Sequence, residues 1–307
     1  MSKLVVLTHN DLDALGSVIC IERRLKVEKY FYTNYGDLQQ QSNNVISFAK
    51  EKNIDTLLIS DVSFSINTSV NVLKILCSNF KKVILIDHHM INKSEIDFKN
   101  LIFIHSELQS ASKLCYNYLK IDDERISKLI DIIDTYDLWK TKSPLFKSSF
   151  IVNEYFFSIK KENDDILKIA KSILNGQNWL CNIKTFKHEF ENRTENEIHS
   201  LNEKNLIFRN KKLKITIVFS FNSFNSLLLK EMDGGQDYVV GIHHGVVKFR
   251  INSDAKITDE FKLSLKKNLA GEEQYGHLNA FTYLNKNLKT NIDIINEVNK
   301  ICKLIDK

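Results

Sequence analysis

Three short apolar runs in the first half of the chain each end in a cluster of acidic residues and histidines. That recurrence constrains the fold more than any other feature. Leu4-Val5-Val6-Leu7 leads into His9-Asn10-Asp11-Leu12-Asp13, Leu57-Leu58-Ile59 into Ser60-Asp61, and Val83-Ile84-Leu85-Ile86 into Asp87-His88-His89. Short continuous apolar runs bounded by polar turns suit strands buried on both faces. Helical patterns lie between and after them, over residues 12–25, 38–49, 70–76, 110–119 and 126–133, with further strand-like segments at 30–33 and 101–104. Strands alternating with helices predict a parallel α/β sheet. Sites in such sheets gather outside the carboxyl ends of the strands, so three clusters placed there converge on one crevice.

The rest of the chain reads differently. Residues 164–206 form one or two long charged helices without proline. Beyond them come a strand-like run at 213–219, a hairpin of 238–242 with 246–251 around the exposed turn His243-His244-Gly245, and helical patterns at 223–232, 261–269 and 292–305. The sequence therefore predicts an α/β protein: a parallel-sheet N-terminal domain at 1–157, a helical linker at 158–208, and a smaller α/β C-terminal domain at 209–307, with a cleft between them. A length of 307 residues suits two domains, and 43% hydrophobic content suits packed cores. One proline, Pro144, and nine glycines exclude collagen-like, linker-rich or low-complexity architectures.

No apolar run reaches the roughly 20 residues of a membrane span. The N-terminus runs straight into its first apolar stretch without the long apolar core and cleavage site of a secretory signal. A cytoplasmic protein with no membrane partner is expected. The five cysteines, Cys20, Cys77, Cys115, Cys181 and Cys302, are scattered, which suits reduced core residues rather than disulfides or a thiolate metal site. Residues 1–155 are neutral and residues 156–307 carry the whole net charge of +5, which is compatible with an anionic substrate or with a solvated lysine-rich surface.

The clusters offer carboxylates and imidazoles without thiolates. That donor set suits Mn²⁺, Mg²⁺ or Zn²⁺, and its carboxylate richness leans to Mn²⁺ or Mg²⁺. Crowded carboxylates repel one another unless cations compensate them. Two divalent ions would do so, and a two-metal site activates water and clamps a phosphoryl group. Either Asp134 or Asp137, in Asp134-Thr135-Tyr136-Asp137-Leu138-Trp139, could supply a further carboxylate. Taken singly, several of these residues have plainer roles. Asp61 could cap a helix, Asp137 could be a cap or a ligand, His277 could be structural, and Arg250 could form a weak surface ion pair. Trp139 and Phe219 read as core.

Thr8-His9-Asn10-Asp11-Leu12-Asp13, the lone Asp61 and Asp87-His88-His89 resemble the first three motifs of the DHH phosphoesterases. Tyr136-Asp137-Leu138-Trp139 is similar to the fourth motif of the nano-RNase (NrnB-type) branch, as is Ser110-Ala111-Ser112 ahead of an apolar helix. The resemblance covers residues 8–139. It implies an α/β domain with two Mn²⁺ ions (or Mg²⁺), a helical linker and a DHH-associated domain that grips substrate. Carried onto this chain, His9, Asp11 and Asp61 would hold one metal. Asp13, Asp61, His88 and Asp137 would hold the other, with Asp61 bridging and His89 beside the substrate phosphate. Asp137 is preferred to Asp134 because its aromatic flanks match.

In the C-terminal part, Arg250 matches a position expected to contact phosphate. The family's glycine-rich loop aligns with Gly271-Glu272-Glu273-Gln274-Tyr275-Gly276-His277, where only Gly276 and His277 are kept. The implied activity is hydrolysis of short oligonucleotides, RNA or DNA, and dinucleotides to nucleoside monophosphates, by an enzyme that could act as a homodimer. Alternatives are a cyclic (di)nucleotide phosphodiesterase, a single-strand exonuclease, a pyrophosphatase, or a nucleotide-binding protein without turnover. The pyrophosphatase group has a wider gap between its first histidine and aspartate, and a basic residue after Asp-His-His. Here Asp11 follows His9 by two and Met90 follows His89.

Overall fold

The computed structural model describes residues 3–34, 36–64, 67–89, 91, 96–140, 142–203, 207–219, 236–243, 245–251, 255–270, 274–277, 280–285, 287–288 and 291–306. The helical pattern expected at 223–232 and Gly271-Glu272-Glu273 lie outside the described residues. The chain divides into two compact units, Met1–Ile183 and Lys184–Lys307.

The first unit begins with β1 (Leu4–Thr8), α1 (Leu12–Arg24), β2 (Val27–Tyr32), α2 (Leu38–Lys52), β3 (Thr56–Ser60), α3 (Asn67–Asn79), β4 (Lys82–Asp87) and β5 (Leu101–His105). It continues with α4 (Ala111–Tyr118), α5 (Glu124–Asp137), α6 (Phe146–Ile159) and α7 (Asp165–Leu174). The five strands form one parallel sheet in the order β2-β1-β3-β4-β5. The order reverses direction at β1 and β3, and a doubly wound sheet opens its ligand crevice at that switch.

Successive strand residues point to opposite faces, and both faces are covered. Val5, Leu7, Leu57, Ile59, Val83 and Leu85 pack with α2 and α3. Val6, Leu58, Ile84 and Ile86 pack with α1, α4 and α5, joined by Val152 and Phe156 of α6 and Ile166 and Ala170 of α7. Burial of each large apolar side chain contributes about 1.5–3 kcal/mol. This two-sided core fixes the strand ends that carry the polar clusters.

The second unit holds α8 (Ile183–Glu203) from its second residue on, β6 (Ile207–Asn210), β7 (Ile215–Phe219), β8 (Tyr238–His243), β9 (Val246–Ile251), α9 (Asp259–Ala270), β10 (Gln274–His277), β11 (Ala280–Leu284) and α10 (Asn291–Ile305). Its sheet runs β10-β11-β9-β8-β7-β6, with β7 and β8 parallel and every other pair antiparallel. The expected hairpin is β8–β9. Gly245 makes its turn at φ 78°, where a Cβ would also press on the Asn285 carbonyl at 3.1 Å. Leu265 and Leu269 of α9 and Ile301 of α10 cover one face of the sheet, while Leu201 and Ile198 of α8 pack with Val218 and Val239 on the other.

The architecture is two α/β domains joined by helices, as expected. The charged stretch after residue 164 divides into α7, which packs on α1 in the first unit, and α8, which belongs to the second. Gln274–His277, expected within a loop, is a strand: β10 pairs with β11 through Gly276↔Phe281 and His277↔Ala280.

Candidate metal centre

The carboxyl ends of β1, β3 and β4 are locked together before any site residue appears. The Ser60 hydroxyl donates to the Thr8 hydroxyl at 2.9 Å, joining β1 to β3. The Asp61 N–H donates to the Ile86 carbonyl at 3.1 Å, joining β3 to β4. The chain turns sharply at Asp61, which has φ 57°. That left-handed conformation is uncommon outside glycine, and aspartate and asparagine tolerate it best. It lies six residues ahead of α3, so the capping role considered for it is not the one it plays.

Around Asp61 the clusters meet. His9 Nδ1 lies 2.9 Å from Asp11 Oδ2 and 3.8 Å from Asp61 Oδ2. His88 Nε2 lies 3.5 Å from Asp61 Oδ1 and 3.4 Å from Asp137 Oδ2. Two ligand triads result, His9/Asp11/Asp61 and Asp13/His88/Asp137, and a further grouping of Asp61, Asp87, His88 and His89 adjoins them. In each, one ligand atom per residue lies within 4.8 Å of the others. The two carboxylate oxygens of Asp61 thus face histidines of different triads.

Local structure explains how each side chain arrives. Asp11 is the N-cap of α1, accepting from the Ala14 N–H at 3.0 Å. That places Asp13 in the first turn, aimed at the start of α4, where it accepts from Ala111 N–H at 2.8 Å and Ser112 N–H at 3.1 Å. Asp137 is the last residue of α5. Asp134, one turn earlier, joins none of the triads found among the described residues. It accepts from Ser110 N–H at 2.8 Å and pairs with Lys140. His89 Nδ1 is held by Asp87 Oδ1 at 2.8 Å, and the His89 carbonyl meets His105 Nε2 at 2.9 Å. Trp139 is buried edge-on against Phe146 and Phe150, a packing role.

Sequence reasoning gave Asp87 no role of its own, and it missed Lys160 and Asn163. Lys160 Nζ donates to the Asn10 carbonyl at 2.7 Å, and Asn163 Oδ1 accepts from Asn10 Nδ2 at 3.2 Å. They hold the loop between His9 and Asp11 from 150 and 153 residues away in sequence, and no local pattern signals that.

Arg250 and His277 come together in a different way. His277 pairs with Ala280, and Ala280 pairs with Arg250, so the two lie on one row across three strands of the second unit. The Arg250 guanidinium donates to the carbonyls of Phe249 at 2.9 Å and Phe281 at 3.5 Å.

Electrostatics mark the cluster as strained without a cation. Burial, then the Asp137 carboxylate, pushes Asp13 up to about 7. Burial and the carboxylates of Asp11, Asp13 and Asp137 raise Asp61 well above the usual range. Burial alone would lower His9 and His88, but the carboxylate beside each overrides it and raises both. Asp11, although buried, is held well below the usual range by His9 and the Ala14 amide. Among the described residues, the buried oxygens Asp61 Oδ2 and Asp87 Oδ2 accept no hydrogen bond. Buried carboxylates left this way call for compensating charge. The oxygen-and-imidazole donor set suits a hard or borderline divalent ion.

These shifts carry a sign. A carboxyl raised to about 7 in the folded state, against about 3.9 when unfolded, favours folding below its unfolded value and loses that contribution as pH rises through about 7. The raised Asp61, His9 and His88 act in the same direction. The metal-free protein is therefore expected to lose Tm between pH 6 and 8. A divalent ion needs deprotonated ligands, so its stabilisation runs the opposite way. The rise in Tm on adding Mn²⁺ is expected to grow from pH 6 to 8 in thermal-shift measurements. An increment independent of pH would mean that the ion binds elsewhere.

Residues 3–136 match the DHH family, N-terminal domain, so the parallel-sheet unit is similar to that domain. No curated protein matches the chain. Among solved structures, a pGpG-specific phosphodiesterase, PggH from Vibrio cholerae, superposes with a TM-score of 0.58 at 11% identity, over 100% of this chain and 99% of that one. An uncharacterized protein from Helicobacter pylori G27 gives a TM-score of 0.47 at 16% identity, over 100% and 99% of the two chains. The fold and the ligand clusters support a metal-dependent phosphoesterase. Among the described residues no helix is long and apolar enough to cross a membrane.

Proposed function

We propose that this chain is a Mn²⁺-dependent phosphodiesterase that hydrolyses short oligonucleotides and dinucleotides to nucleoside monophosphates. One observation carries the reading: two ligand triads joined through Asp61 at the switch point of a parallel sheet. His9, Asp11 and Asp61 hold one ion; Asp13, Asp61, His88 and Asp137 hold the other. Two such ions supply Lewis acidity, lowering the pKa of water and drawing charge from the phosphoryl oxygens.

The protein's own contribution is placement. Asp61 ties the two triads, and its backbone is anchored to β4. Asp87 orients the His89 imidazole through Nδ1, so that His89 meets the substrate phosphate in a fixed pose. Ala111 and Ser112 hold both oxygens of Asp13, leaving that carboxylate little freedom to rotate. In the second unit, Arg250 serves the substrate phosphate with a guanidinium already braced by two carbonyls. Gly276 and His277, on β10, serve the same end of the substrate.

The Arg250→Ala variant is expected to raise KM more than it lowers kcat, since Arg250 serves to bind the substrate and holds neither metal. An unchanged KM would remove it from the site. The reading as a whole is tested with a labelled RNA dinucleotide, pGpG, a cyclic dinucleotide, pyrophosphate and a 20-nucleotide single strand, each with and without Mn²⁺. Mn²⁺-dependent release of mononucleotides, fastest on the shortest RNA, is expected. Cleavage of pyrophosphate alone, or tight binding of dinucleotide without turnover, would overturn it.

A further inference from the structure

The first turn of α4 connects Asp13, of the second triad, to Asp134 on α5, and Asp134 holds that turn. Three successive amides at the helix start are shared between two carboxylates. Ser110 N–H goes to Asp134 on α5, and Ala111 and Ser112 N–H go to Asp13 on α1. The Ser110 hydroxyl, 2.9 Å from the Ser112 hydroxyl, accepts from Lys113 N–H at 3.4 Å and closes the turn. A helix start carries partial positive charge and ordinarily takes an anion. Here Asp13 is that anion, with both oxygens engaged. Where Asp13 sits therefore depends on where the α4 start sits.

Asp134 is buried and has a second partner, Lys140, just past the end of α5. The Lys140 N–H returns to the Thr135 carbonyl at 2.9 Å across a turn in which Trp139 takes φ 54°. This is a Schellman-type helix ending. One carboxylate thus fixes both the α4 start, which aims Asp13, and the C-terminal turn of α5, which carries Asp137. The hydrogen bonds found for His9, Asp11 and Asp61 do not pass through it.

We propose that Asp134, with Lys140, is a positioning residue for the metal held by Asp13, His88 and Asp137, and not for the metal held by His9 and Asp11. This rests on the two-metal reading and deepens it. Partners behind a ligand typically change metal affinity about 10–100-fold.

The test is calorimetric titration of Mn²⁺ into the metal-free full-length protein and its Asp134→Asn and Lys140→Met variants. Unfolding curves are recorded alongside. The asparagine of the first variant would still accept from Ser110 N–H but would turn an N–H toward Lys140. Lys140→Met keeps Asp134 itself and serves should the first variant fail to fold. Two Mn²⁺ sites are expected in the wild type, with one weakened about tenfold in the variants and the other unchanged. A merely structural role would lower Tm and leave both affinities alone, and that result overturns the proposal. Equal weakening of both sites also overturns it. Absence of Mn²⁺ binding in the wild type would instead overturn the two-metal reading, and this proposal with it.

Discussion

Replacing Asp61 by asparagine is expected to abolish Mn²⁺-dependent hydrolysis while raising the Tm of the metal-free protein. Both effects follow from its position. Asp61 is 4% exposed, lies between His9 and His88, and shares the site with Asp11, Asp13 and Asp137. Removing its charge relieves like-charge crowding in the apo state, and it also deletes the carboxylate that lies between His9 of one triad and His88 of the other. Activity should fall by about 10³-fold or more, the upper end for losing one preorganised charge-stabilising group. Asparagine is the informative substitution because it accepts the left-handed backbone at φ 57°. Alanine there would add backbone strain of about 1–3 kcal/mol and confuse the two effects. Activity assays with thermal melts in EDTA check both halves. A variant that keeps near-wild-type turnover would remove Asp61 from the site, and a lower apo Tm would deny the crowding.

Gly16→Ala is expected to destabilise the fold and to impair turnover together. Gly16 lies on α1 one turn after Asp13, where α1 crosses α4. A Cβ there would stand 2.6 Å from Ser112 Cβ and 3.0 Å from Ile133 Cδ1. Ser112 Cβ is fixed close to the backbone, so the helices themselves must part. Overpacking of this kind costs about 1–3 kcal/mol. The same displacement stretches the bonds from Ala111 and Ser112 to Asp13. Turnover should therefore fall more than the loss of folded protein explains. Chemical denaturation with kcat per folded molecule measures the two separately, and Ser112→Gly in the Gly16→Ala background should restore part of both. Unaltered stability would show that α1 and α4 adjust without cost.

Much of the site was legible because strand ends announce themselves. An apolar run that stops at His9, Asp61 or Asp87 places the following side chains at the carboxyl edge of a sheet, and a doubly wound topology brings those edges together. The preference for Asp137 over Asp134 rested on the aromatic flanks, and the geometry sets Asp137 beside His88 and Asp134 on Ser110 and Lys140.

Other features were not legible. Helix α6 carries no side-chain cap, and it buries Phe146, Ser149, Phe150, Ile151, Val152, Asn153, Tyr155 and Phe156. Apolar residues spread around the helix in this way blur the 3.6-residue period. Strands β6, β10 and β11 are four or five residues long and owe their form to neighbours distant in sequence. Gln274–His277 read as a loop because its strand character comes from pairing with β11. Lys160 and Asn163 reach Asn10 only through the docking of α7 on α1.

The most direct measurement is a crystal structure of the protein soaked in Mn²⁺, with data collected to locate manganese by its anomalous scattering. Two peaks are predicted on either side of Asp61, about 3.5–4 Å apart. One should lie against His9 and Asp11, the other against Asp13, His88 and Asp137. A single ion held by Asp87 and His89, or no ion at Asp61, would contradict the account.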